Sequence, residues 1–117
     1  MGAFSVLPTE LRAFCAQLDE VSTAPPLGWR VVAQGVGVGH FRLEGVPSDA
    51  LIAALHGLRA GVERRGGTLV VLVAPEDLKT RFDVWGSPGD ALPLLQRVKQ
   101  QLDPHGTLSP GRFVGGL

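Results

Sequence analysis

A single cysteine in 117 residues leaves no partner for an intrachain disulfide and no ligand set for a cysteine-rich metal or iron–sulfur site. Cys15 falls among Leu11, Phe14 and Leu18 at helical spacing, so it reads as a packed thiol behaving as a small apolar group. Excess charge of either sign is lacking too. Eleven basic and eleven acidic residues cancel, and the chain carries no electrostatic footprint for nucleic acid or anionic lipid. Charged residues make up 19%, below the roughly 25% of ordinary soluble domains. That surplus of neutral surface fits a domain that docks on another. No apolar run approaches the roughly eighteen residues of a membrane span, and Met1-Gly2-Ala3-Phe4 lacks the basic start of a signal peptide. A soluble, cytoplasmic protein is expected.

What is present is a series of short elements. Thr9 is placed to cap a first helix reaching about Glu20, with Leu11, Phe14, Cys15 and Leu18 as its apolar stripe. The run 23–28, rich in proline, breaks the chain. Trp29–Gln34 and Val38–Leu43, joined by Gly35-Val36-Gly37, read as a β-hairpin. Pro47 and Ser48 start the clearest helix, whose Leu51, Ile52, Leu55, Leu58 and Val62 follow its period. Arg64 and Arg65 suit its negative carboxyl end, and Gly66-Gly67 stops it. Thr68–Ala74 is continuously apolar and β-branched, which predicts a central strand buried on both faces. Glu76–Lys79 predicts one helical turn after Pro75. Asp90 is placed to cap a last helix with Pro93 in its first turn and Leu94, Leu95, Val98 and Leu102 facing inward. Such an order predicts one α+β domain over 1–117, two-layered and ferredoxin-like, with helices on one face of a small, mainly antiparallel sheet.

Chemistry-bearing constellations are sparse. Gly35-Val36-Gly37-Val38-Gly39-His40 imitates a dinucleotide fingerprint, but that motif needs a helix after it and a strand follows here. A glycine-permitted hairpin is the plainer reading. His56 and His105 have no carboxylate, serine or cysteine partner at an interpretable spacing, so no nucleophilic triad is built. Asp83 reads as a turn or capping residue, and Trp29, Trp85 and Phe113 as core aromatics or docking anchors.

The final fifteen residues read as two successive turns. Pro104 and Pro110 fix φ, while Gly106 and Gly111 allow the positive φ that such turns need. Leu94–Leu102 leading into Asp103-Pro104-x-Gly106 and then Ser109-Pro110-Gly111-Arg112-Phe113 resembles the carboxyl end of FAD-linked oxidases of the vanillyl-alcohol-oxidase type. The similarity is greatest to the FAD-binding second subunit of bacterial glycolate oxidase, where a V-W-G segment precedes the helix, as Val84-Trp85-Gly86 does here. It is most specific from Val84 onward and looser from Trp29 to Ala74. One departure is Ser109, where the family usually has Asn.

The resemblance implies a carboxyl-terminal cap domain without the amino-terminal domain that binds FAD in that family. FAD is then expected in the full-length enzyme and none on this chain alone. Ser109, Gly111 and Arg112 become the residues expected beside the flavin domain. Partners implied are that domain and the other glycolate oxidase subunits, peripheral to the inner membrane; the alternative reading is a free-standing interaction or regulatory α+β module that forms a homo-oligomer, favoured by the low charge and by a tail without its docking partner. Catalytic relatives carry H-x-G-D-G-N-x-H, and over Ala33 to His40 only Gly35, Gly37 and His40 agree. A metal or 2-hydroxyacid site needs several convergent donors, so a degenerate, non-catalytic cap is implied. His40 is the one catalytic candidate left, with an ordinary strand histidine as the simpler account.

Overall fold

Four strands appear where three were expected. The computed structural model describes every residue except 24–25 and 46–47, so the expected break at Ala24-Pro25 and the helix start at Pro47 lie outside the described residues. Its elements are β1 (Gly2–Ser5), α1 (Leu11–Val21), β2 (Gly28–Ala33), β3 (Val38–Glu44), α2 (Ser48–Arg64), β4 (Thr68–Val71), α3 (Glu76–Arg81) and α4 (Leu92–Leu102). Contacts divide the chain into two compact units, Met1–Val84 and Trp85–Leu117.

The larger unit is an antiparallel sheet of order β2-β3-β1-β4. With the chain order β1-α1-β2-β3-α2-β4, this is the ferredoxin-like double split βαβ arrangement, as expected. The unexpected strand, β1, is central: Phe4 pairs with Gly39 on one side and Leu69 on the other. Four residues of Gly-Ala-Phe-Ser are too few for alternation to reveal. The expected central strand Thr68–Ala74 is instead the shorter β4, at an edge.

Inward residues of the sheet meet α1 and α2 in one core. Phe14 stacks on Phe4 with centroids 4.2 Å apart and meets the edge of Phe41 at 6.2 Å. Phe14, Leu18, Leu58 and Val62 are fully buried, and each such side chain contributes about 1.5–3 kcal/mol. Cys15 is half-buried on the flank of that stripe. The expected Thr9 cap is not formed: residues Pro8–Glu10 make a 3-10 turn and α1 starts at Leu11 without a side-chain cap. At the other end of α2 the expected glycine stop is realised. Gly66 has φ +73°, Gly66 N donates to Glu63 O and Gly67 N to Val62 O, the two bonds of a Schellman cap.

Where α1 crosses α2, Gln17 lies against two glycines that hydrophobic periodicity does not flag. Gln17 Nε2 donates to Gly57 O at 2.6 Å, and a Cβ at Gly61 would overlap the Gln17 amide. Arg65, expected to serve the helix end, reaches across to Gln17 Oε1 at 2.9 Å and pairs with Glu10.

The smaller unit holds α4 and the tail. The expected Asp90 cap is also absent, because Gly89–Ala91 form a 3-10 turn and α4 begins at Leu92 after Ala91. Leu94, Leu95, Val98 and Leu102 were expected to face inward, yet no residue of α4 is buried and Leu102 is 76% exposed. Helical periodicity is present there, but a unit of this size supplies too little chain to cover the stripe.

Candidate functional site

Asp103 organises the tail. It ends α4 with its carboxylate buried, Oδ1 accepting from Thr107 N (2.8 Å) and Thr107 Oγ1 (3.0 Å), and Oδ2 from Leu108 N (2.9 Å). Lys99 Nζ lies 2.7 Å from Oδ2 and also donates to Leu108 O at 2.6 Å. The two turns expected from the sequence follow: Gly106 N donates to Asp103 O, and Arg112 N to Ser109 O. Trp85 closes the arrangement, its Nε1 donating to Arg112 O at 3.1 Å and its ring meeting Phe113 edge-to-face at 5.0 Å. Ser109 adopts φ +46°, a left-handed conformation that Asn tolerates better than Ser.

The Lys99 ammonium, then the Leu108 amide, then the amide and hydroxyl of Thr107 hold the Asp103 carboxyl far below the usual carboxylate range, against the opposing pull of burial. A carboxylate with a lowered folded pKa stabilises fully above its unfolded value, near 4, and loses that effect only as pH falls through the folded value. Amide exchange at Thr107 and Leu108 is therefore expected to show unchanged protection from about pH 8 to 4 and to lose it only in stronger acid. Asp103→Ala should accelerate exchange at both amides by more than roughly tenfold at neutral pH, read by NMR, because both lose a charged acceptor.

Between α4 and the tail lies a cavity of about 400 Å³, within the range of small-ligand sites. Leu95, Val98, Leu102, Leu108, Phe113 and Leu117 give it apolar walls. Its polar atoms belong to Lys99 and Asp103, already engaged with each other, and to Ser109 and Arg112. Two of the three expected flavin-side residues, Ser109 and Arg112, thus line it, and Gly111 takes the positive φ (+74°) of the turn between them. Its lining residues include no histidine and no nucleophile paired with a base.

His40 belongs to the other unit. It stands exposed on the open face of β3, opposite Val32 of β2 and Ala3 of β1, two residues from Arg42, which pairs with Arg30. No group of three or more histidine, cysteine or acidic side chains that could hold a metal ion occurs among the described residues. Gly35 to Gly37 make the hairpin turn, with Gly37 N donating to Gln34 O, and Gly39 already lies in the strand, not a helix, that follows. These residues do not form a cradle for a dinucleotide.

Reading the sequence did not single out Arg59. On α2 it is 9% exposed, its guanidinium lies 4.2 Å over the Phe82 ring, and it donates to the carbonyls of Leu69, Asp83 and Val84. Burial draws its pKa down, opposed by Asp83 and Glu63. The only sequence signal was an Arg on the apolar side of a strongly periodic helix. No family model, curated protein or solved structure matches the chain.

Proposed function

We propose that this chain is the cap domain of an FAD-linked oxidase of the vanillyl-alcohol-oxidase type, nearest to the FAD-binding second subunit of bacterial glycolate oxidase. It supports oxidation of glycolate or a related 2-hydroxyacid without supplying the acid and base groups. The observation that carries the reading is the mutual engagement of the residues behind the resemblance. Asp103 gathers Lys99, Thr107 and Leu108 at the end of α4, and Ser109, Arg112, Phe113 and Trp85 are joined by hydrogen bonds and ring packing in the turn that follows. The uncovered apolar side of α4 and the tail cavity suit a surface that docks on a larger body. FAD belongs to that body in this proposal, as do the other oxidase subunits and a cytoplasmic placement peripheral to the inner membrane.

The test mixes the purified chain with a glycolate oxidase FAD-binding subunit whose own cap has been deleted. The chain alone is expected to carry no yellow flavin absorbance, to bind the truncated subunit in stoichiometric amount and to restore its assembly with the other subunits. A chain that retains FAD by itself and is bleached by glycolate, or that ignores the truncated subunit, overturns the proposal. The second reading, a self-associating interaction module, is favoured by one observation: an uncovered edge on the sheet.

A further inference from the structure

The two edges of the sheet are treated differently. In β4, Val71 N donates to Val84 O and Leu69 O accepts from Arg59, so the outward backbone groups of that edge are met by the segment 82–84 and a guanidinium. At the opposite edge no strand pairs with the outer side of β2 among the described residues. Gln34 N donates to Val38 O, which makes 34 and 38 a hydrogen-bonded pair; by the alternation of antiparallel ladders, Gly28, Arg30 and Val32 then address β3, while Trp29, Val31 and Ala33 present N–H and C=O outward. Residues 28–33 contain no proline, lysine or acidic residue, the usual protections of an edge. Val32 is 76% exposed on the open face of the sheet.

We infer that β2 pairs with β2 of a second copy of this chain, antiparallel about a two-fold axis at Val31. Only this register engages all three outward residues on each strand, Val31 with Val31 of the other copy and Trp29 with Ala33, giving roughly six ladder hydrogen bonds. It is also the register that charge allows. A shift centred on Arg30 would set two arginines directly opposite each other, and Arg30 already faces Arg42 across the β2–β3 pair with no acidic partner among the described residues. Centred on Val31, the aliphatic stem of each Arg30 lies over the exposed Val32 of the other copy.

This inference rests on strand register alone, so its failure and that of the flavoenzyme reading are separable. Sedimentation equilibrium of the full chain is expected to show mass rising from 12.3 kDa toward twice that value with concentration. Val32→Lys sets lysine against Arg30 of the other copy and should raise the dimer Kd at least tenfold, whereas Val32→Glu should leave it unchanged or lower it. Ala33→Pro removes an outward N–H without touching the β2–β3 ladder and should also weaken the dimer, with far-UV circular dichroism unchanged. A strict monomer up to about 1 mM, equal weakening by both charges at Val32, or a dimer indifferent to Ala33→Pro overturns it.

Discussion

Arg59→Met lowers the stability of the Met1–Val84 unit by an expected 3 kcal/mol or so, a large effect for one residue that is not part of the aromatic core. Methionine retains the apolar stem, so the loss isolates the guanidinium. That group donates to the carbonyls of Leu69, Asp83 and Val84 and stacks on Phe82. Hydrogen bonds from a charged donor contribute about 1.5–3 kcal/mol, and a desolvated cation–π contact adds about 1–2 kcal/mol. Release of the methionine variant from solvating a charge offsets part of this. Hydrogen exchange at the Val71 amide gives the decisive readout. Its acceptor is Val84 O, on the segment that Arg59 clips to β4. Exchange there should approach the rate of an open edge while amides of β1 and β3 stay protected. If Val71 remains protected in the variant, Phe82 and Val84 hold the segment through apolar contact alone and the clip is dispensable.

Gly37→Ala is expected to destabilise the same unit by about 3–4 kcal/mol, seen as a fall in Tm of roughly 10–20 °C. Gly37 sits at φ +90°, as the last residue of the β2–β3 loop, and its carbonyl accepts from Val6 N at 2.9 Å. A side chain in left-handed backbone costs roughly 1–2 kcal/mol. Here the added Cβ would also overlap the Val6 carbonyl oxygen, which is backbone in the chain beside β1 and has nowhere to retreat. Gly35→Ala, two residues earlier, meets nothing within 4 Å and should change Tm little. A similar loss from both substitutions would show that loop entropy, not the close approach to Val6, sets the requirement.

The contrast between those glycines marks how far the sequence could be read. A turn at 35–37 followed from glycine density between two β-branched runs, because turn chemistry is local. Which glycine is indispensable depends on Val6, some thirty positions away, and no local pattern encodes that distance. Gly61 is similar: inside a helix it looks like mere weakness until the Gln17 amide is found lying on it. In the tail, the two turns were legible from Pro104, Gly106, Pro110 and Gly111. The role of Asp103 as acceptor was not legible, since the amides it collects become neighbours once the turns have formed.

By itself the sequence determined the helical faces of α1 and α2, the β2–β3 hairpin, the Gly66 stop and the two-layer class, because each follows from periods and turn preferences spanning a few residues. Only the tertiary structure decided that Gly2–Ser5 is a central strand, that Thr68–Val71 is an edge closed by Arg59 and Val84, and that the stripe of α4 has no core to enter. Strand partners, sealed edges and the covering of an apolar face are matters of what lies across space, and apolar character in a segment states a demand for burial without naming what will meet it.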